Sequence, residues 1–150
     1  MLTSEMITHA AERLQDLVLR TPLIESPLLN SALGFRILIK SECLQKTGSF
    51  KIRGAYNKII SLNKTQREAG VVAYSSGNHA QGVAAAASVT GVAAKIVMPS
   101  DAPRIKLENT ARWGPRLLPM TDKRVTVQKS PKRSQRKLGR RWCHLMTTTN

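Results

Sequence analysis

Cysteine, aromatic and acidic residues are all scarce in this 150-residue sequence, and it has no long apolar run. Two cysteines, Cys43 and Cys143, cannot form a disulfide framework, so the sequence is typical of a reducing, cytoplasmic location. No stretch approaches eighteen consecutive apolar residues, which excludes a membrane-spanning helix. Residues 1–17 lack the basic start and apolar segment of a signal peptide, so we expect no secretory leader. We expect Cys43 to be a small buried residue.

Charge is unevenly distributed along the chain, whose formal net charge is +15. Residues 1–114 contain fourteen Lys and Arg against eight Asp and Glu, whereas residues 115–150 contain ten Lys and Arg against Asp122 alone. Only six of the last thirty-six residues are Leu, Ile, Val or Phe. We therefore divide the chain into a globular part, residues 1–114, and a basic tail, residues 115–150, which we expect to be disordered.

Strand and helix patterns alternate along residues 1–114. Short apolar segments predict strands at residues 35–40, 71–75 and 95–99. Apolar residues at helical spacing, together with start signals, predict helices that begin near residues 4, 50, 78 and 103. This alternation predicts an α/β fold in which helices flank a parallel sheet. Such sheets bind ligands beyond the carboxyl ends of their strands, so the loops after the strands are the places to look.

Lys51 lies in the first turn of a predicted helix, directly after Gly48 and Ser49. Unpaired amides and the helix dipole make this end electropositive, which disfavours the charged ammonium, and burial would favour the neutral amine further. A neutral amine is what imine formation with an aldehyde cofactor requires. A solvated surface lysine is the simpler interpretation, and spacing alone leaves both open.

The loop formed by Ser75, Ser76, Gly77, Asn78 and His79 leads from a predicted strand directly into a helix. Such a junction offers backbone amides and a dipole to an anion, for example a substrate carboxylate. Ser76 could relay a proton, and Asn78 could donate to a phenolate oxygen. The alternative is an ordinary polar turn in which Ser caps the helix. His79 has no Cys or acidic neighbour at metal-ligand spacing, so we expect no metal site and a packing or hydrogen-bonding role.

Four ordered segments carry a resemblance to a known family: LRTPL at residues 19–23, LQKTGSFKIRGAYN at 44–57, VVAYSSGNHAQGVAAAA at 71–87 and IVMPSDAP at 96–103. Together they resemble the fold-type II (tryptophan synthase β-like) pyridoxal-phosphate enzymes, in particular the threonine dehydratase (threonine ammonia-lyase) group, with serine racemase as a near relative. The resemblance implies pyridoxal 5′-phosphate as the cofactor and a small amino acid, threonine or serine, as the substrate. It also implies loss of water and ammonia to give a 2-oxo acid, with racemisation as the alternative reaction.

The resemblance further implies roles for individual residues. Lys51 would bind the cofactor covalently and act as a base on one of its faces, while Ser76 would handle protons on the other face. Phe50 would pack near the ring, and Asn78 would hydrogen-bond the 3′-oxygen. Residues Ser75 to His79 would hold the substrate carboxylate. Family members are considerably longer than this chain, so we expect an incomplete fold with little or no turnover, and a homo-oligomer for a full-length member.

Two interpretations of residues 115–150 stay open. The first is a basic arm that binds nucleic acid, although the tail has one aromatic residue, Trp142, and no recognisable docking motif. The second is a shifted reading frame. When the last base of each codon is read with the first two of the next, Met120-Thr121 must encode Asp and Trp142-Cys143 must encode Val. Permitted codons turn residues 115–122 into Glu-Val-Val-Thr-Tyr-Asp-Arg, which resembles the dehydratase family. We favour the shifted frame and do not expect a nucleic-acid partner.

Overall fold

The computed structural model describes residues 1–120 and 146–147. In chain order its elements are α1 (Ser4–Leu14), β1 (Leu23–Glu25), α2 (Pro27–Leu33), β2 (Leu38–Lys40), a 3-10 turn (Glu42–Leu44), α3 (Lys51–Ile60), α4 (Lys64–Ala69), β3 (Val71–Tyr74), α5 (Asn78–Thr90), β4 (Ala94–Pro99), α6 (Arg104–Ala111), β5 (Arg116–Met120) and β6 (Met146–Thr147). The helices predicted near residues 4, 50, 78 and 103 are confirmed as α1, α3, α5 and α6.

The main sheet has four strands in the order β5-β4-β3-β6. Strands β3, β4 and β5 are parallel, and β6 pairs with β3 in the antiparallel direction. The predicted parallel sheet is therefore confirmed. It is built by the strands predicted at residues 71–75 and 95–99, whose register places Val71 opposite Ala94.

Helices α3 and α5 pack against one face of this sheet. The side chains that alternate onto this face are fully buried: Val71, Ala73, Ile96 and Met98. They join the small residues of α5 in a single apolar core, because alanine side chains let α5 lie close to the strands. The alternate residues of β3, Val72 and Tyr74, are half-buried and exposed. In the described part of the chain, the expected cover of helices is thus present mainly on one face.

The prediction of a six-residue strand at residues 35–40 was too long. The strand is Leu38–Lys40, and it pairs in the antiparallel direction with β1 to form a separate two-stranded ribbon. Helices α2 and α4 were not predicted. They are seven and six residues long, which is too short for a helical period to show clearly in the sequence.

The main sheet continues past Gly114, where the globular part was predicted to end. Strand β5 pairs with β4 along its whole length, and Leu117 packs against the core of the sheet. The expectation of disorder from residue 115 onward therefore does not hold for Arg116–Met120. Apart from β6, the rest of the predicted tail lies outside the described residues.

Cys43 is exposed, so the expectation that it is buried was wrong. It lies in the 3-10 turn beside Glu42, and this turn directs Glu42 inward instead. The Glu42 carboxylate accepts hydrogen bonds from Nε and Nη2 of Arg53, at 2.8 and 2.7 Å, and from Oγ1 of Thr21 at 2.6 Å. With these three donors, the Glu42 carboxylate has its hydrogen bonds satisfied on the inner side of the turn. The neighbouring side chain of Cys43 faces solvent instead.

Candidate active site

Lys51 is the first residue of α3, and α5 crosses α3 directly against its backbone. The crossing point on α5 is Gly82. A Cβ atom built on Gly82 would lie 2.9 Å from the carbonyl carbon of Lys51, 3.0 Å from the amide nitrogen of Ile52 and 3.1 Å from the Cβ of Lys51. Real side chains do not approach this closely, so the contact requires a glycine. The position of the Lys51 backbone is therefore fixed by α5.

The side-chain amine of Lys51 has no hydrogen-bond or acidic partner among the described residues. Its Nζ lies 4.8 Å from the centre of the Phe50 ring, and the lysine is half-buried. Phe50 itself is 57% exposed, so the amine and the ring form an open surface that a ligand can reach.

The loop from Ser75 to His79 connects β3 to α5, as the sequence predicts. The Ser75 amide donates to the carbonyl of Val97 in β4, and the Ser75 hydroxyl accepts from the Gly77 amide at 3.2 Å. No side chain caps α5, so the expected alternative of a Ser-capped turn is not what forms. The side chains of Ser76 and Asn78 are exposed. The start of α5 therefore presents free amides toward solvent.

His79, the last residue of this loop, lies near enough to Lys51 to be affected by its charge. It is half-buried, and its Nε2 atom is buried without a hydrogen-bond partner in the part of the chain that the structure describes. Burial lowers the pKa of His79 below its usual value, and the positive charge of Lys51 lowers it further. Lys51 and the loop predicted to bind the carboxylate are thus brought to the same end of α3 and α5.

Replacing Lys51 by methionine should raise the pKa of His79, because the second cause of its depression is removed. The pKa should stay below 6.5, since burial, the larger cause, is unchanged. An NMR titration of the imidazole ring measures this shift. The matched control is Lys58→Met, at an exposed position near the other end of α3, which should leave the titration unchanged. An unchanged pKa in Lys51→Met would show that the amine does not face His79.

Two residues near the site were missed by the sequence analysis. Gly82 stands in the alanine-rich segment of α5, and a glycine inside a helix is a signal of close packing that could have been used. Lys106 reaches the loop from α6 and has no comparable signal in the sequence.

A cleft of about 440 Å³ lies beside the site and is lined by Lys46, Thr47, Gly48, Gln81, Asn109, Arg112 and Trp113. None of the predicted site residues lines it. The predicted residues instead occupy the open surface at the carboxyl end of β3, which is where a parallel sheet places its ligands. This surface is the candidate active site, because the residues predicted to bind the cofactor and the substrate lie there and not in the cleft.

Comparisons with known proteins show what this chain is similar to. The family model for pyridoxal-phosphate dependent enzymes matches residues 14–144, which extends beyond Gly114. The L-threonine ammonia-lyase of Thermotoga maritima is 51% identical over 118 residues, which are 79% of this chain and 29% of that protein. The L-threo-3-hydroxyaspartate ammonia-lyase of a Pseudomonas species is 50% identical over 108 residues, 72% of this chain and 34% of that protein.

Solved structures show the same likeness in three dimensions. The structure of maize serine racemase superposes with a TM-score of 0.72 at 43% identity, covering 75% of this chain and 34% of that one. The present chain therefore spans about a third of the length of the relatives that it matches. Its parallel sheet with packed helices is part of the fold-type II architecture.

Proposed function

Because the chain belongs to the family of pyridoxal-phosphate dependent enzymes, we propose that the side-chain amine of Lys51 is the group that binds this cofactor. The observation that carries the proposal is the state of this amine. Lys51 is half-buried and its backbone is held against α5 at Gly82, while the amine has no acidic or hydrogen-bonding partner among the described residues. An amine of this kind is available to condense with an aldehyde.

The surrounding residues fit such a cofactor. The Phe50 ring lies beside the amine and is open to solvent, so it offers an apolar surface to a planar ring. The exposed amide of Asn78 can donate a hydrogen bond to a ring oxygen, and Asn78 opens α5, whose electropositive end suits an anion. When bound, the cofactor supplies the electron sink that stabilises negative charge at the substrate Cα.

The proposed reaction is elimination of water from threonine or serine, followed by release of ammonia and a 2-oxo acid. The loop from Ser75 to His79 holds the substrate carboxylate at the start of α5, through the backbone amides that the loop's own hydrogen bonds leave free. The Lys51 amine accepts the proton from Cα, because it lies at the same end of the helix pair as this loop. The neutral imidazole of His79 adds no positive charge beside that amine.

Racemisation of the same substrates is the second candidate. Ser76 favours it, since its hydroxyl is exposed in the carboxylate loop, where it can hold or return a proton. The two reactions share every other group of the site. They are separated by what happens at Cβ, so incubation of a full-length protein that contains this segment with threonine, and detection of a 2-oxo acid or of the epimer, distinguishes them.

Further proposals concern the whole protein. We propose a cytoplasmic location and, for a full-length family member, a homo-oligomer. None of the helices in residues 1–120 is long and apolar enough to cross a bilayer.

The residues on which the shifted frame and the nucleic-acid arm depend lie largely outside the described part of the chain. Sequencing the coding DNA separates those two interpretations, because only the shifted frame requires a dehydratase-like continuation in another frame.

The proposal for Lys51 is tested by replacing it with alanine in the full chain. Incubation with pyridoxal 5′-phosphate should give the absorbance band of a Schiff base in the parent chain and should lose it in Lys51→Ala. The control is Lys58→Ala, which removes an exposed lysine from the same helix and should keep the band. A band of equal strength in Lys51→Ala would overturn the assignment.

A further inference from the structure

Lys106 lies directly over the loop that we assign to the substrate carboxylate. Its Nζ atom is 3.6 Å from the position that a Cβ atom on Gly77 would occupy. The residue is half-buried, and it belongs to the first turn of α6. The fully buried Thr110 donates its hydroxyl to the Lys106 carbonyl at 2.7 Å, which anchors this part of α6 against the core. The backbone of Lys106 is therefore held in place by the fold.

This amine adds to an excess of positive charge. None of the ion pairs among the described residues includes Lys106 or Lys51, and Glu108 on the same helix is bound to Arg104 at 2.7 Å. Two unpaired lysines therefore lie near the uncapped start of α5, whose amides also carry partial positive charge. Like charges gathered in a half-buried site repel one another, and an anion would relieve that repulsion.

Gly77 has a role that the sequence did not reveal. A methyl group would be in ordinary contact with the Lys106 amine, and any longer side chain would fill the space between that amine and the amides of α5. Glycine therefore keeps open a space bounded by one ammonium and several free amides.

We propose that Lys106 binds the substrate carboxylate together with the free amides of Ser76, Asn78 and His79. This inference rests on the proposed function and extends it by one residue. The loop amides orient the carboxylate, and the Lys106 ammonium neutralises its charge from the α6 side. Hydrogen bonds between charged groups are about twice as strong as those between neutral groups, so one lysine contributes a large share of the affinity.

Acetate is a suitable probe, because it carries the carboxylate alone and needs no cofactor. Binding to the full chain without cofactor is followed by NMR through the amide shifts of Gly77, Asn78 and His79, with sodium chloride as the ionic-strength control. Lys106→Gln should weaken acetate binding roughly tenfold or more, as expected for loss of one charge-assisted hydrogen bond. Lys106→Arg keeps the charge and should restore most of the affinity.

The matched control is Arg104→Gln, which removes an exposed cation from the same turn of α6. It should leave acetate binding within about twofold of the parent, since exposed charges are screened. Equal weakening in Arg104→Gln and Lys106→Gln, or no weakening in Lys106→Gln, would overturn the proposal. Should Lys106→Gln fail to fold, Lys106→Met retains the aliphatic stem and serves the same comparison. Failure of Lys51 to bind the cofactor would leave this result unaffected, so the two proposals fail separately.

Discussion

Gly82→Ala is expected to destabilise the chain by about 1–3 kcal/mol, the usual range for forcing an extra carbon into a packed contact. The new methyl group would lie 2.9 Å from the Lys51 carbonyl carbon and 3.0 Å from the Ile52 amide nitrogen. Both are backbone atoms, so the contact can be relieved only if α3 and α5 move apart. Urea-induced unfolding followed by circular dichroism measures the loss. The same shift would displace Lys51 and should weaken the binding of pyridoxal 5′-phosphate.

Gly54→Ala is the matched control for that experiment. Gly54 lies in the middle of α3, and a Cβ atom there would meet nothing within 4 Å. Alanine restricts the unfolded chain more than glycine does, so this change should stabilise the chain by about 0.5–1 kcal/mol. If Gly82→Ala lowers the free energy of unfolding and Gly54→Ala raises it, the loss is caused by the close approach at Gly82 and not by glycine replacement in general. A neutral or stabilising Gly82→Ala would contradict the described helix crossing.

Glu42→Ala is the second change with a large expected effect, a loss of about 1–3 kcal/mol. The carboxylate joins the 3-10 turn to α3 through Arg53 and to the preceding segment through Thr21. Its removal leaves the buried Thr21 hydroxyl without this acceptor and leaves the Arg53 guanidinium without its ion pair. Thermal unfolding measures the effect. Glu25→Ala, which breaks an exposed ion pair with Arg36, should cost much less.

The same carboxylate predicts a pH dependence. The hydrogen bond from Arg53 is the main cause that lowers the pKa of Glu42 from 4.5 to about 2. A carboxyl whose pKa is lowered in the folded state stabilises the fold above pH 4.5, and this stabilisation disappears as the pH falls toward 2. Glu42→Gln should therefore flatten the decrease in stability over that range. An acid unfolding curve as steep as that of the parent chain would contradict the role given to Glu42.

The sequence predicts where the candidate site residues lie along the helices and strands better than it predicts the packing around them. Lys51 and the loop from Ser75 to His79 stand at the ends of well-patterned strands and helices, so their positions follow from the alternation of elements. The approach of Lys106 to Gly77 joins residues 29 positions apart, and no local pattern records it. Contacts of this kind depend on how the helices cross, so they can be seen only in the three-dimensional structure.

Two wrong expectations have local physical causes. Glu42 and Cys43 lie in one turn that is too short to show a periodic pattern. The prediction therefore rested on residue type, which favours a buried cysteine, whereas Glu42 faces inward and Cys43 is exposed. Strand β5 was missed because composition was averaged over residues 115–150, which hid the short apolar pair Leu117 and Leu118 inside a basic segment. Pairing with β4 supplies the hydrogen bonds that make this short segment a strand.

The central claim is that one particular amine, that of Lys51, binds the cofactor. The most direct measurement is to incubate the full chain with pyridoxal 5′-phosphate, reduce it with borohydride, digest it and locate the modified lysine by mass spectrometry. We expect the reduced adduct on the peptide that contains Lys51, at a level well above that on any other lysine. An adduct spread evenly over exposed lysines such as Lys58 and Lys64, with none enriched at Lys51, would contradict the account.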